Sequence, residues 1–352
     1  MEKLIVSCSP HISEKHKGTR RIMLDVIIAL VPALVAATVI FGYHVLINAF
    51  FSVLFCAASE TLFCLIKSGE FNREGFKKAS TFDLSCVVTG LILALNLPAT
   101  MNVWGLNIAY GDRVVFSFDT VLVCLIGSIV AIVLVKELFG GIGRNFANPA
   151  LTARAFLFLT FATAFVSSAP AFDTATGATW LTAGRPAADG TLLLNMFLGV
   201  RGSAATGEAC VIALAIGYIY LSIRRVIDFR VPLMIIGWTA VFALLFDGLI
   251  KQQLTGSQLL LNAASHVLSG GLIFGAIFMA TDYATSPNTF AGNCIFAFGI
   301  ALLTVLIRVF ASYPEGVSFA ILIMNCVTPL IDRYVYPRPM GYVKEGKREK
   351  RK

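Results

Sequence analysis

The sequence predicts an all-α, polytopic membrane protein of about ten transmembrane helices arranged as two inverted five-helix repeats. Three observations carry this expectation. Of 352 residues, 57% are hydrophobic and only 14% charged, with a mean hydropathy of +0.80. A soluble domain carries about 25% charged residues, so this chain lacks the charge to cover a water-facing surface. Apolar runs near the roughly 20-residue length of a bilayer span recur along it, and the basic residues fall into alternate segments between those runs. A soluble two-domain enzyme is excluded, although length alone allows one.

The runs of the first half are Ile22–Phe41, Val45–Ile66, Leu84–Leu97, Asp119–Val135 and Leu151–Val166. Those of the second are Ala209–Ile223, Val231–Phe246, Ser265–Thr281, Gly292–Ala311 and Val317–Ile331. Leu84–Leu97 is short, ending at Asn96-Leu97-Pro98. It is kept as a span because a helix broken inside a bundle is tolerated where protein or a cavity covers its backbone. The chain then divides into a cytoplasmic N-terminal segment (1–21), a first half (22–166), an outer loop (167–208), a second half (209–331) and a basic cytoplasmic tail (332–352). Leu4-Ile5-Val6 is too short for the apolar core of a cleaved signal, so the first helix is expected to direct insertion.

With the N-terminus inside, 22 of the 28 Lys and Arg fall in inner segments and four in outer ones. That asymmetry sets both termini in the cytoplasm and accounts for the net charge of +8. The tail Lys344–Lys352 reads as an anchor to anionic membrane lipid; without interleaved aromatics it does not suggest a nucleic-acid partner. Five spans per half is an odd number, so a duplicated half lies upside down. The Asn96-Leu97-Pro98 end and the Thr281-Asp282 end, followed by Thr285-Ser286-Pro287, fall on opposite faces as that requires. A proline merely following a helix explains the same residues. Gly271 and Gly275 form a small-xxx-small face suited to helix contact.

Eight cysteines are scattered singly and four histidines do not cluster, so no metal site and no disulfide framework is expected from this chain. The outer loop differs. It contains Asp173-Thr174-Ala175-Thr176-Gly177-Ala178-Thr179, which fits D-x-x-[ST]-G-A-T, the pattern on which a flavin transferase esterifies FMN phosphate to the final threonine. A threonine hydroxyl is a weak nucleophile that needs activation from the modifying enzyme. Gly177 and Ala178 leave the backbone open to that enzyme, Asp173 can orient the segment, and Thr176 holds the hydroxyl position of the pattern. An unmodified Ser/Thr-Ala-Gly surface loop is the plain alternative.

Motifs along nearly the whole chain resemble those of one family, the D subunits of Rnf ion-translocating ferredoxin:NAD oxidoreductases. The B subunits of the sodium-pumping NADH:quinone reductases are close relatives of that family. The shared residues are Ser9-Pro10-His11, Val88-Thr89-Gly90-Leu91 with Leu95 to Pro98, Gly140 to Ala150, Asp173 to Thr179, and Gly202-Ser203 with Gly207-Glu208. They continue with Phe278 to Asp282, Thr285-Ser286-Pro287, Arg308, Tyr313 to Val317, and Met324-Asn325 with Pro329 to Asp332. Two departures stand out. Asn145-Phe146-Ala147-Asn148-Pro149 replaces the family's Asn-Pro-Phe-Asn-Pro. The reductase relative commonly has a longer cytoplasmic extension before its first helix, which favours the Rnf side here.

The resemblance implies an electron carrier in the bacterial cytoplasmic (inner) membrane, a non-autonomous subunit of a redox-driven ion translocase. Its partners would be other Rnf subunits, including iron–sulfur and flavin subunits, and a flavin transferase. FMN would be tethered at Thr179 on the outer face. Arg185, Arg201 and Arg308 could neutralise its phosphodiester, or simply snorkel to the interface. Relatives also place a non-covalent flavin near Gly140–Ala150, which makes Asn145 and Asn148 candidates for riboflavin binding; a tight turn using Asn and Gly for its own backbone reads equally well. Asp25, Glu60 and Asp282 are acids near inner helix ends, read either as ion-pathway groups or as solvated interface residues. No residue is assigned a catalytic role. The competing classes are a passive channel or transporter with an inverted repeat, a purely structural anchor, and the B component of the sodium-pumping reductase.

Overall fold

The computed structural model describes residues 18–69, 83–110, 113–166, 190–198, 205–208, 210–254, 256–311 and 316–335. Its first half contains helices α1 (Thr19–Phe41), α2 (His44–Ser68), α3 (Ser85–Asn96), α4 (Phe118–Glu137), α5 (Pro149–Thr160) and α6 (Ala162–Val166). Helix α7 (Gly190–Leu198) follows. The second half contains α8 (Val211–Ile223), α9 (Arg230–Lys251), α10 (Ser257–Leu268), α11 (Leu272–Met279), α12 (Phe290–Phe310) and α13 (Gly316–Tyr334). Among the described residues, α1, α2, α4, α9, α12 and α13 are each long and apolar enough to cross a bilayer. The pair α10–α11, bent by 56°, adds a seventh if counted as one span. Helices α3, α5 and α8 are apolar but only 12 or 13 residues long. The chain is a polytopic helical membrane protein.

Apolarity runs around each helix rather than along one face. On α1, Ala29, Leu30, Ala33 and Ala37 are buried while Leu24, Ile28, Val31, Val35 and Val39 point outward. A helix hydrophobic all round belongs in a lipid or protein interior. Small residues set the crossings. A Cβ at Gly217 of α8 would strike the Ala29 carbonyl of α1, and one at Gly90 of α3 would lie 2.8 Å from Val53 Cα of α2.

The structure corrects several sequence expectations. The run Leu151–Val166 is broken at Phe161 into α5 and α6. The run Ser265–Thr281 is two helices: α10 begins earlier, at Ser257, and the chain turns at Gly270 and Gly271, both with left-handed φ (66° and 67°). Two successive left-handed residues cost little only for glycine, so Gly271 serves the turn, while Gly275 makes the close contact: a Cβ there would lie 2.9 Å from Val317 Cγ1. Within the expected outer segment 98–118, β1 (Asn107–Tyr110) and β2 (Arg113–Ser117) pair antiparallel, a small addition to an otherwise helical fold. The loop before it is held by Asp119. That carboxylate accepts the amides of Val103, Trp104 and Gly105 at 2.8–3.0 Å and of Leu106 at 3.3 Å.

The two halves share local features at matched spacing. Glu60 of α2 precedes a left-handed Leu84 and the start of α3; Asp247 of α9 precedes a left-handed Gly271 and the start of α11. The separation is 24 residues in both cases. Ser117 caps α4 and Thr289 caps α12. From those caps, Gly127 and Gly299 are each 10 residues on, and Lys136 and Arg308 each 19. The notch at Gly127 admits Leu157 of α5, and the notch at Gly299 admits Met324 of α13.

Candidate cofactor site

A cavity of about 500 Å³ opens where the start of α3, the segment before α5 and the end of α11 converge. Its walls include Thr89 and Ile92 of α3, Asn145 and Asn148, and Phe278, Thr281 and Asp282. The volume lies within the roughly 300–1,000 Å³ range of small-molecule and cofactor sites. Apolar walls with a few fixed polar groups suit a flat, partly polar ring.

Asn148 and Pro149 begin α5 for a local reason. The Asn148 side chain accepts the Leu151 amide as an N-cap, and proline at the first helical position loses no hydrogen bond. The other end of that side-chain amide donates to the Met279 carbonyl at 3.3 Å, fastening α5 to the end of α11. Asn148 thus does the work of a turn residue while lining the cavity. Asn145 is different: its Oδ1 is buried without a hydrogen-bond partner. A buried acceptor is rarely left unmatched, so it is free to receive an N–H from a ligand.

One buried lining residue belongs to a charge pair. Lys136 lines the cavity, is 2% exposed, and donates to Glu60 Oε2 at 2.6 Å and to Ser85 Oγ at 2.7 Å. Sequence reading ended the fourth run at Val135, so that Lys136 fell in an inner segment, and left Glu60 as either an ion-pathway group or a solvated interface residue. Helix α4 instead runs on in π geometry through Val130–Glu137 and carries Lys136 into the protein, where it meets Glu60. The signal lay in the facing polar residues, Ser52, Ser59 and Glu60 on α2 and Ser128 and Lys136 on α4. Asp25 is buried too, accepting from the Tyr220 hydroxyl at 2.9 Å and facing Arg224. Asp282 is half-buried; burial raises its carboxyl pKa, opposed by hydrogen bonds from the Ala284 amide and the Thr285 hydroxyl.

Arg308 lies elsewhere. It is 1% exposed, and its Nη atoms donate to the carbonyls of His266 (2.6 Å), Ser269 (2.9 Å) and Gly270 (3.0 Å). The guanidinium closes the end of α10 at the α10–α11 break. The segment for which Arg308 was expected to supply a counter-charge lies outside the described residues. Beside it, Asp247 Oδ2 accepts from His266 Nε2 at 2.9 Å, Asn262 at 3.0 Å and Gln252 at 3.1 Å. Near the end of α3, Arg154 donates to Asn96 Oδ1 at 2.8 Å. Sequence reading passed over Arg154, Asp247 and His266. Asp173, Thr176, Gly177, Ala178, Thr179, Arg185 and Arg201 lie outside the described residues.

Fold and site together define a multi-pass helical membrane protein with charged pairs buried among its spans and a cofactor-sized cavity. The chain belongs to the NQR2, RnfD, RnfE family, whose profile matches residues 5–117 and 118–341. It is 39% identical to the D subunit of the Na(+)-translocating ferredoxin:NAD(+) oxidoreductase complex of Acetobacterium woodii, covering 99% of this chain and 98% of that one. It is 33% identical to the D subunit of the proton-translocating ferredoxin:NAD(+) oxidoreductase complex of Clostridium ljungdahlii, over 96% of each. It is 31% identical to the D subunit of the ion-translocating oxidoreductase complex of Halorhodospira halophila, over 92% of each.

Proposed function

We propose that this chain is the D subunit of an Rnf-type ion-translocating ferredoxin:NAD oxidoreductase, assembled with other Rnf subunits in the bacterial inner membrane. The observation that carries the reading is the near-full-length likeness to relatives bearing that name. The relatives at 39% and 33% identity are named for Na⁺ and for protons, so likeness supports ion translocation and leaves the choice of ion to measurement. The ten-span inverted repeat draws support from the matched spacings of Glu60 and Lys136 with Asp247 and Arg308. With both termini inside, the first pair lies near the inner face and the second near the outer.

FMN joined to Thr179 by the transferase is proposed on the D-x-x-[ST]-G-A-T pattern of Asp173–Thr179. In-gel flavin fluorescence of the denatured chain, made in cells with flavin transferase, tests it. Wild type should be bright and Thr179→Ala dark; a dark wild type or a bright variant refutes the tether. Non-covalent riboflavin is proposed in the cavity. Flavin bound there would supply one- and two-electron transfer. Asn145 Oδ1 would accept a ring N–H, Asn148 would hold the wall it shares with Met279, and the α3 and α11 side chains would exclude water.

A further inference from the structure

We propose that Lys136 sets the reduction potential of the cavity's ligand, acting as the positive charge that meets the polar edge of a bound flavin ring. The assignment rests on reading the cavity as a flavin site. It begins from placement. Among the cavity-lining residues whose side chains carry full charge are Lys136 of α4 and Asp282, just beyond α11. The Lys136 ammonium has three protons to donate; Glu60 and Ser85 take two of them, at 2.6 and 2.7 Å. Those two contacts fix the nitrogen and leave one donor direction.

The chemistry follows from charge balance. A flavin bound here would, on gaining two electrons from a reduced iron–sulfur partner and one proton from water, carry one negative charge. In a low-dielectric cavity a nearby ammonium favours that charged, reduced ligand over the neutral, oxidised one. Glu60 keeps the resting site neutral, since the Lys136–Glu60 pair carries no net charge while the ligand is oxidised. Asp282, the other charge facing the cavity, opposes reduction when ionised. Ser85 holds the lysine from the start of α3, whose helix-dipole end also favours negative charge. Glu137, 3.8 Å from Lys136, is a further acid on the same helix end.

The test uses the full chain purified from membranes and separated from its partner subunits, whose own flavins and iron–sulfur centres would add to both readouts. Acid precipitation leaves covalent flavin on the chain and releases the non-covalent flavin for counting. Redox titration of the purified full chain, with Thr179→Ala removing the tethered flavin's signal, then isolates the cavity ligand. Lys136→Met leaves Glu60 unpaired and threatens folding, so the decisive variant is the double Glu60→Gln/Lys136→Met, in which neither charge is stranded. That variant should release the same flavin with its preference for the reduced form cut at least tenfold, a fall in two-electron potential of about 30 mV. Lys136→Arg, keeping the charge, should restore most of it. An unchanged potential in the double variant overturns the assignment to Lys136 while the cavity reading stands. A wild-type chain that releases no flavin overturns both, and the two failures are distinguished by the flavin count alone.

Discussion

Replacing Gly90 with alanine tests the packing that shapes the cavity. The new Cβ would lie 2.8 Å from Val53 Cα, 3.0 Å from Val53 N and 3.1 Å from the Ser52 carbonyl. All three are backbone atoms, so no side-chain rotation relieves the clash. Carbon atoms rest at about 3.5–4.0 Å, which requires α2 and α3 to part by about 0.7 Å. Overpacking of this kind costs about 1–3 kcal/mol. The Ser52 hydroxyl bond to the Gly90 carbonyl, 2.9 Å long, would stretch, at about 0.6 kcal/mol for a buried bond between membrane helices. Alanine returns about 1 kcal/mol of helix propensity. The net expectation is a loss of about 0.6–2.6 kcal/mol, and, because Thr89 and Ile92 line the cavity, a fall in acid-releasable flavin. Gly237→Ala is the control: nothing lies within 4 Å of its added Cβ. The assay is the temperature at which purified protein stops eluting as a single species. A Gly90→Ala midpoint at or above wild type, with Gly237→Ala behaving alike, refutes the packing argument.

Other expectations concern the buried charges. Glu60→Gln and Lys136→Met should each destabilise by about 3–5 kcal/mol and the double far less than their sum; additive losses in the same thermal assay count against a coupled pair. Arg308→Met should destabilise by about 2–4 kcal/mol, since carbonyls at the end of α10 lose a charged donor. In-gel flavin fluorescence should stay bright in that variant; darkening would return Arg308 to a part in the tether. For Asp282 the folded-state pKa is raised, so its contribution is fully present below the unfolded value and is lost as pH rises through the folded one. Wild type should therefore lose thermal stability relative to Asp282→Asn as pH rises from about 4, and parallel pH profiles contradict this.

Much of the fold was legible because bilayer physics is read from local sequence. Each apolar run has a helical counterpart, and the proline at 149 and the asparagine before it mark a helix start in sequence and structure alike. The breaks were less legible. Phe161 interrupts a run with no proline or glycine of its own, and Gly270-Gly271 signals a turn only once Arg308, far along the chain, is seen collecting the carbonyls there. Lys136 shows the same limit from the other side. Local composition ends the helix before it, whereas Glu60, 76 residues away, gives the charge a place inside. The Asn145–Asn148 region was legible as a pair of open readings, and geometry divides it: Asn148 caps a helix and Asn145 retains a free acceptor.

The Asp119 carboxylate has a consequence for the order of assembly. It gathers four amides from residues 103–106, all of which leave the ribosome before it does. Until α4 begins to form, that stretch lacks this acceptor and must stay hydrated. The loop that follows α3 thus closes on its acceptor only after the first residues of α4 have been made, so the order of synthesis is written into which residue supplies the anion.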